Sequence, residues 1–386
     1  MEEKKLYYQD SHLKNFTATV TGCEQVKDGF AITLSATAFY PEGGGQPSDT
    51  GTLGEATVLS VREQGGEIFH FCDAPLPVGA TVTGAIDWDN RLDLMQQHSG
   101  EHIVSGIIHK KYGYHNVGFH MGADVVTIDF DGPIPASDLT EIEALANAAV
   151  WEDLPVSCYY PTEEALPTVP YRRKRDLPFP VRIVEIPGSD ICACCGTHVQ
   201  RTGEIGLIKL LSCVKFHQGV RMEMVCGKRA LMLLGDIYEQ NRQVSQAFSA
   251  KIQETGAAAC RMNETLAAEK YRCAALQKRL FAYIAQGYAN APLALHFEES
   301  LTPGETRELC DAIAQNAAVA VTLSGTDNTG YSLCIISHRQ DARSLGAAAV
   351  AALNGRGGGK PDAFQGSLRA TEEEIRTFFA QAEKNL

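Results

Sequence analysis

Three rhythms of apolar and polar positions divide the chain. Up to about residue 89, short alternating runs (Thr17–Val20, Phe30–Leu34, Thr57–Val61, Ile68–Phe71) are parted by Gly, Pro and Asp. This pattern predicts a small barrel or sandwich, with a β-barrel as the expectation for residues 1–89. From Asn90 to Tyr112 the period becomes helical, with Leu94, His98, His102 and Ile103 on one face and a break at Gly113. Strands are expected at Val125–Phe130 and Val181–Ile186, and a helix around Ser137 to Trp151. Two alternating runs, Gly206–Val214 and Val220–Cys226, flank a turn at His217-Gln218-Gly219. Residues 90–227 therefore read as an α+β domain.

Between Lys228 and Ala285 the pattern is helical again, with Ala230, Leu234, Ile237, Val244 and Phe248 three or four apart. Gly256 interrupts it, and Leu266, Cys273, Leu276 and Leu280 resume it. Residues 228–285 are thus a coiled-coil hairpin or a long linker helix. Residues 286–386 form a final α/β unit, with strands at Ala318–Ser324 and Leu333–Ser337, a helix at Ala342–Leu353 and then a glycine loop, GRGGGKPD. The fold class is α+β and multidomain.

Composition narrows the possibilities. The chain has 386 residues, 44% hydrophobic and 21% charged, which is ordinary for a globular protein of several domains. The longest apolar run, Leu345 to Leu353, is far short of a membrane span, and MEEKKLYYQD has no signal-peptide core. A cytoplasmic protein without a membrane partner is expected. A net charge of −13 argues against general coating of DNA or RNA, yet Arg172, Arg173, Lys174 and Arg175 make a local basic run, either a solvated loop or a binding patch. Of twelve cysteines, only Cys192, Cys194 and Cys195 cluster.

That cluster carries the chemistry. His98 and His102 stand i, i+4 on the expected helix, so both imidazoles leave the same side. About ninety residues later, SDICACCGTHVQ offers Cys and His at Cys-x-x-x-His spacing. Two such pairs fill a tetrahedral zinc shell, although spacing does not choose among the three cysteines, and the cysteine cluster also fits a redox site. The earlier segment FYPEGGGQPSDTG is either a close backbone approach to a ligand or a plain turn.

Together these segments resemble the alanyl-tRNA editing family, the AlaX proteins and the editing domain of alanyl-tRNA synthetase. FYPEGGGQPSDTG resembles the family's N-terminal glycine motif, MQQHSGEH its His-x-x-x-His helix, and CCGTHV its Cys-Gly-Gly-Thr-His-Val, with Cys195 in place of the first glycine. GRGGGKPDAFQG resembles the signature of a C-terminal DHHA1-type domain. The resemblance implies one zinc ion per chain held by His98, His102, Cys194 and His198. It also implies a hydrolase that removes serine or glycine in trans from mischarged tRNA(Ala), without a domain for charging tRNA. Zinc would polarise the ester carbonyl or activate water. Glu101 is the candidate general base and Thr197 a candidate donor to the carbonyl oxygen. Gly44, Gly45, Gln46, Phe119 and His120 are candidates for substrate contact, and Arg172–Arg175, Arg356 and Lys360 for tRNA contact. The linker and C-terminal unit would dock tRNA and join two subunits. Rival readings are a threonyl-type editing hydrolase, sharing the same four ligands, and a non-catalytic tRNA-binding module whose zinc is structural.

Overall fold

A computed structural model describes residues 4–173 and 178–384. Lys174 and Arg175 lie outside the described residues. The chain separates into two compact units, residues 1–243 and 244–386.

In the first unit, a short helix α1 (Leu6–Gln9) precedes six strands: β1 (Asn15–Val26), β2 (Gly29–Leu34), β3 (Gly51–Leu53), β4 (Ala56–Gln64), β5 (Glu67–Cys72) and β6 (Thr81–Ile86). They pair in the order β1-β2-β5-β4-β3-β6, and β6 returns to β1, closing the barrel expected from the alternating runs. Val20, Ile32, Leu53, Val58 and Val61 fill it. The glycine motif lies between β2 and β3. It is tied to the next helix, α2 (Trp88–Tyr112), by a fully buried ion pair between Asp49 and Arg91. Arg91 also donates to the Ser11 carbonyl at 2.9 Å and the Ala38 carbonyl at 2.6 Å. Burial of two charges is costly unless both are saturated with hydrogen bonds, as they are here.

α2 begins at the Asp87 cap, whose side chain accepts from Asn90 N, and ends at Gly113 in the left-handed conformation. It is buried on almost every side, which is why its apolar pattern is faint: Gln97, His98, Ser99, Glu101, His102 and Ser105 all lie inside. Around it pack β7 (Asn116–Met121), β8 (Val126–Phe130), α3 (Leu139–Trp151), β9 (Ser157–Tyr159), β10 (Ile183–Ile186), β11 (Asp190–Ala193), β12 (Ile208–Phe216) and β13 (Gly219–Cys226). These strands form a four-stranded sheet, β12-β13-β8-β7, and a three-stranded sheet, β11-β10-β9. The hairpin turn at His217 is as expected. The Cys/His-dense segment begins as strand β11 and leaves it before Cys194. Two glycines let α2 approach its neighbours at backbone distance. A Cβ at Gly100 would strike Cys226 Sγ, and one at Gly106 would strike the Ser189 carbonyl.

α4 (Gly227–Ala247) follows, and α5 (Thr255–Gln286) opens the second unit's regular structure. The break falls at residues 248–254, and Gly256 lies inside α5. Both helices carry exposed apolar side chains, among them Leu231, Ile237, Leu266, Leu276 and Leu280. The second unit then runs β14 (Leu293–Glu298), α6 (Pro303–Ala314), β15 (Val319–Thr326), β16 (Gly330–Ile336), α7 (Ala342–Ala352), β17 (Arg356–Lys360), β18 (Ala363–Leu368) and α8 (Glu372–Glu383). Its sheet order is β14-β15-β16-β18-β17, with only β14 and β15 parallel. The expected glycine loop is a correction: Arg356–Lys360 is an exposed edge strand. Glycine suits it because a Cβ at Gly357 or Gly359 would press on the backbone of β18. No described helix is long and apolar enough to cross a membrane.

Candidate metal centre

α2 and the exit of β11 bring His98, His102, Cys194 and His198 together. One donor atom from each lies within 4.8 Å of the others. The three imidazoles are buried and Cys194 is half-buried. Cys194 Sγ is 3.4 Å from His98 Nε2.

Each imidazole is held by its other nitrogen. His98 Nδ1 is 2.8 Å from Gln46 Oε1, His102 Nδ1 is 3.0 Å from Asp190 Oδ2, and His198 Nδ1 is 3.2 Å from Ser99 Oγ. Partners of this kind fix the tautomer and turn the Nε2 lone pair inward, as around metal-binding histidines. His198 Nε2 is buried with no hydrogen-bond partner among the described residues. An orphaned buried nitrogen beside a thiol and two further imidazoles fits a cation of zinc's preference for N and S donors.

The electrostatics agree. Burial opposes ionisation of Cys194, but His98 and His102 outweigh it and hold the thiol well below its ordinary range. Burial also disfavours a charged His102, yet Cys194 and Asp190 push it up to about 10. Burial and the neighbouring His98 keep His198 well below the usual imidazole range. A thiol drawn towards its ionised form beside three buried imidazoles marks a place for positive charge.

Asp190, Ser99, Gln97 and Gly196 were not among the expected site residues, and Arg172 was expected to contact tRNA rather than to support this centre. Arg172 donates twice to Asp190, at 2.7 and 2.8 Å, completing a chain from Arg172 through Asp190 to His102. Gln97 pairs its amide with both backbone groups of Cys226, at 2.9 and 2.7 Å, fixing the helix against β13. Gly196 is obligatory, since a Cβ there would strike the His98 ring. The Asp of SDICACCGTH and the Ser of HSGEH were visible signals in the sequence, but only the fold reveals what they touch.

The other expected site residues are placed as follows. Gln46 is 1% exposed. Besides His98 it accepts from Thr197 N at 3.1 Å and donates to Thr197 Oγ1 at 2.8 Å, so it bridges the two ligand segments. Glu101 is buried and accepts from Ser105 Oγ and Asn116 Nδ2, each at 2.5 Å. Gly45 abuts Phe119, whose ring stacks on His98 with centroids 5.2 Å apart. Gly44, Gly45, Gln46 and the exposed His120 line a cleft of about 780 Å³. Arg172 is committed to Asp190, whereas Arg173, Arg356 and Lys360 are exposed.

Residues 181–222 match the model of the threonyl and alanyl tRNA synthetase second additional domain, and residues 286–386 match that of the DHHA1 domain. The chain is 34% identical to an alanine–tRNA ligase of Thermofilum pendens over 95% of its length, and spans 42% of that longer protein. It is 29% identical to the alanyl-tRNA editing protein Aarsd1 of Mus musculus, covering 94% of this chain and 93% of that one. With Aarsd1-B of Xenopus laevis it shares 30% identity over 89% of this chain and 86% of the relative. With 30% identity to Aarsd1-B over most of both proteins, and a DHHA1 domain at the C-terminus, the chain belongs to the alanyl-tRNA editing protein family.

Proposed function

We propose that this chain is an aminoacyl-tRNA hydrolase that removes serine, and also glycine, from mischarged tRNA(Ala) in trans, with one zinc ion at His98, His102, Cys194 and His198. Family membership supports the tRNA substrate. The observation that carries the chemistry is the convergence of four N and S donors from two distant segments, with an orphaned His198 Nε2 among them.

When bound, zinc supplies Lewis acidity at the ester carbonyl. The remaining work falls to the chain. The Gln46 and Asp190 oxygens hold His98 and His102 with Nδ1–H outward, and Ser99 orients the His198 ring. Thr197, first expected to donate to the carbonyl oxygen, is fully buried and exchanges both its hydroxyl and its N–H with Gln46, so in this reading it braces the turn between the ligands. Glu101, first read as a general base, is 3% exposed and gripped by Ser105 and Asn116. Its role in this reading is to brace α2 against β7 through Ser105 and Asn116 rather than to take a proton from water. The cleft along Gly43–Gln46 and His120 receives the acceptor end, with Phe119 as the wall towards the donors. Arg173, Arg356 and Lys360 contact phosphates, and the exposed apolar residues of α4 and α5 support pairing of two chains.

One observation favours a second reading. Four protein donors, three of them buried, are also what a closed structural zinc site presents, in a tRNA-binding module without activity. The deciding experiment combines metal analysis with deacylation of Ser-tRNA(Ala), Ala-tRNA(Ala) and Ser-tRNA(Thr). Ser-tRNA(Ala) should be hydrolysed far faster than the other two. A zinc-loaded protein inert on Ser-tRNA(Ala) would leave only the binding module, and equal rates on Ser-tRNA(Thr) would favour a threonyl-type enzyme.

A further inference from the structure

The turn carrying Cys194 and His198 lies beyond the end of β11, so the sheet does not determine its shape. Three consecutive carbonyls there are captured by two side chains from elsewhere. Arg182 Nη1 donates to the Cys194 carbonyl at 3.0 Å and to the Gly196 carbonyl at 2.9 Å. Tyr8 Oη donates to the Cys195 carbonyl between them, at 2.9 Å. The two captors are themselves joined, the Arg182 guanidinium lying 4.7 Å from the centre of the Tyr8 ring. Arg182 is 6% exposed, and its own carbonyl accepts from Cys194 N at 3.1 Å. A buried guanidinium spends its hydrogen bonds where geometry must be fixed, because its planar fork loses little freedom in making them.

We propose that Arg182 and Tyr8 are positioning residues that set the Cys194–His198 turn in its ligating shape before the metal arrives. Neither contributes a donor atom. The clamp acts through the backbone: with all three carbonyls pinned, Cys194 Sγ points inward, where it also accepts from Gly196 N at 3.4 Å. A turn already shaped loses less entropy on binding, which raises affinity and slows release. Gln46 secures the same turn from the opposite side through Thr197, so the ligating segment is gripped from both flanks.

This inference rests on the metal-site reading above, and the experiment separates the two. Full-length metal-free protein is titrated with Co²⁺, whose visible spectrum reports tetrahedral N and S ligation, and Co²⁺ release is then timed against a chelator. If the wild-type chain takes up no Co²⁺, the metal reading itself fails. Given uptake, Tyr8→Phe, which removes one hydroxyl and keeps the ring, should release Co²⁺ roughly five-fold faster, as expected for one lost hydrogen bond. Arg182→Lys should weaken Co²⁺ binding about ten- to a hundred-fold, the usual cost of losing a support outside the ligand shell. It should also alter the thiolate-to-metal band. Because the two side chains are in contact, the double variant should cost less than the product of the single effects. Wild-type affinity, spectrum and release in both single variants would overturn the proposal. So would a lower melting temperature of the metal-free variants with unchanged Co²⁺ release, since the pair would then hold the fold and not the ligating turn.

Discussion

Gln46 offers the sharpest test of how the two ligand segments are held together. Replacing it with Met keeps the volume and removes every polar atom. Two buried donors, His98 Nδ1–H and Thr197 N–H, then lose their acceptor, and Thr197 Oγ1 loses a donor. Each orphaned buried group costs about 1–3 kcal/mol, and the two donors together should destabilise the metal-free protein by about 2–4 kcal/mol once local relaxation is allowed. The metal should suffer separately: a His98 ring free to adopt its other tautomer presents N–H where a lone pair is needed. Affinity should therefore fall by about ten- to a hundred-fold. Gln46→Glu should lose less of both, because a carboxylate still accepts from His98 and from Thr197. The assays are urea unfolding of the metal-free protein and zinc competition against a chromophoric chelator. If Gln46→Met unfolds and binds zinc as the wild type does, the bridge has no energetic meaning and the argument from hydrogen bonding is wrong.

Other outcomes can be checked alongside. Gly196→Ala should abolish metal binding because its methyl group occupies the space of the His98 ring; retained zinc by elemental analysis would contradict the packing described. His70 is buried neutral in the barrel, bonded to the Ile32 carbonyl and Thr37, with its pKa lowered from 6.5 to about 4 by burial. Between those values the unfolded chain binds a proton that the folded chain refuses, so stability should fall by roughly 3 kcal/mol as pH drops from 7 to 4. His70→Leu should flatten that slope in pH-dependent denaturation, and an unchanged slope would place the effect elsewhere. Asp190→Asn and Arg172→Gln should each weaken zinc binding, with Arg172→Gln leaving the salt dependence of tRNA binding unchanged; a shallower dependence would return Arg172 to the phosphate contacts. A chain ending after Gln243 should keep its zinc and its kcat while KM for Ser-tRNA(Ala) rises. Unchanged KM would deprive the second unit of a docking role.

The sequence was most informative where chemistry and periodicity coincide. The i, i+4 histidines and the Cys-x-x-x-His spacing identify the donors because ligand geometry is largely local. The supports are not local. Gln46 sits 52 residues from His98 and 151 from Thr197, and nothing near GGGQP tells a glutamine that contacts substrate from one that holds a ligand. Asp190 was overlooked for a related reason: Asp-Ile-Cys-Ala alternates without an evident apolar face, because one side of β11 faces the buried polar cluster. Arg172 read as part of a basic patch until its partner was known. The GRGGGK segment misled through propensity, since glycine disfavours strands. Pairing with β18, where only hydrogen fits against the partner backbone, overrides that preference.

The burial of α2 on nearly all sides also bears on how the protein is made. Its polar residues, including His98, Glu101 and His102, are not fully enclosed until β11 and β13 exist, and β13 ends at Cys226, 114 residues after the helix ends at Tyr112. At about 5–20 residues per second, synthesis of that stretch takes on the order of ten seconds. Throughout that time the helix has no finished core to enter, and for most of it the two histidines have neither Cys194 nor His198 for company. The centre on which the whole reading rests is thus among the last parts of the first unit to be completed. A nascent chain interrupted before Cys194 would carry two of the four donors and lack the turn that supplies the other two.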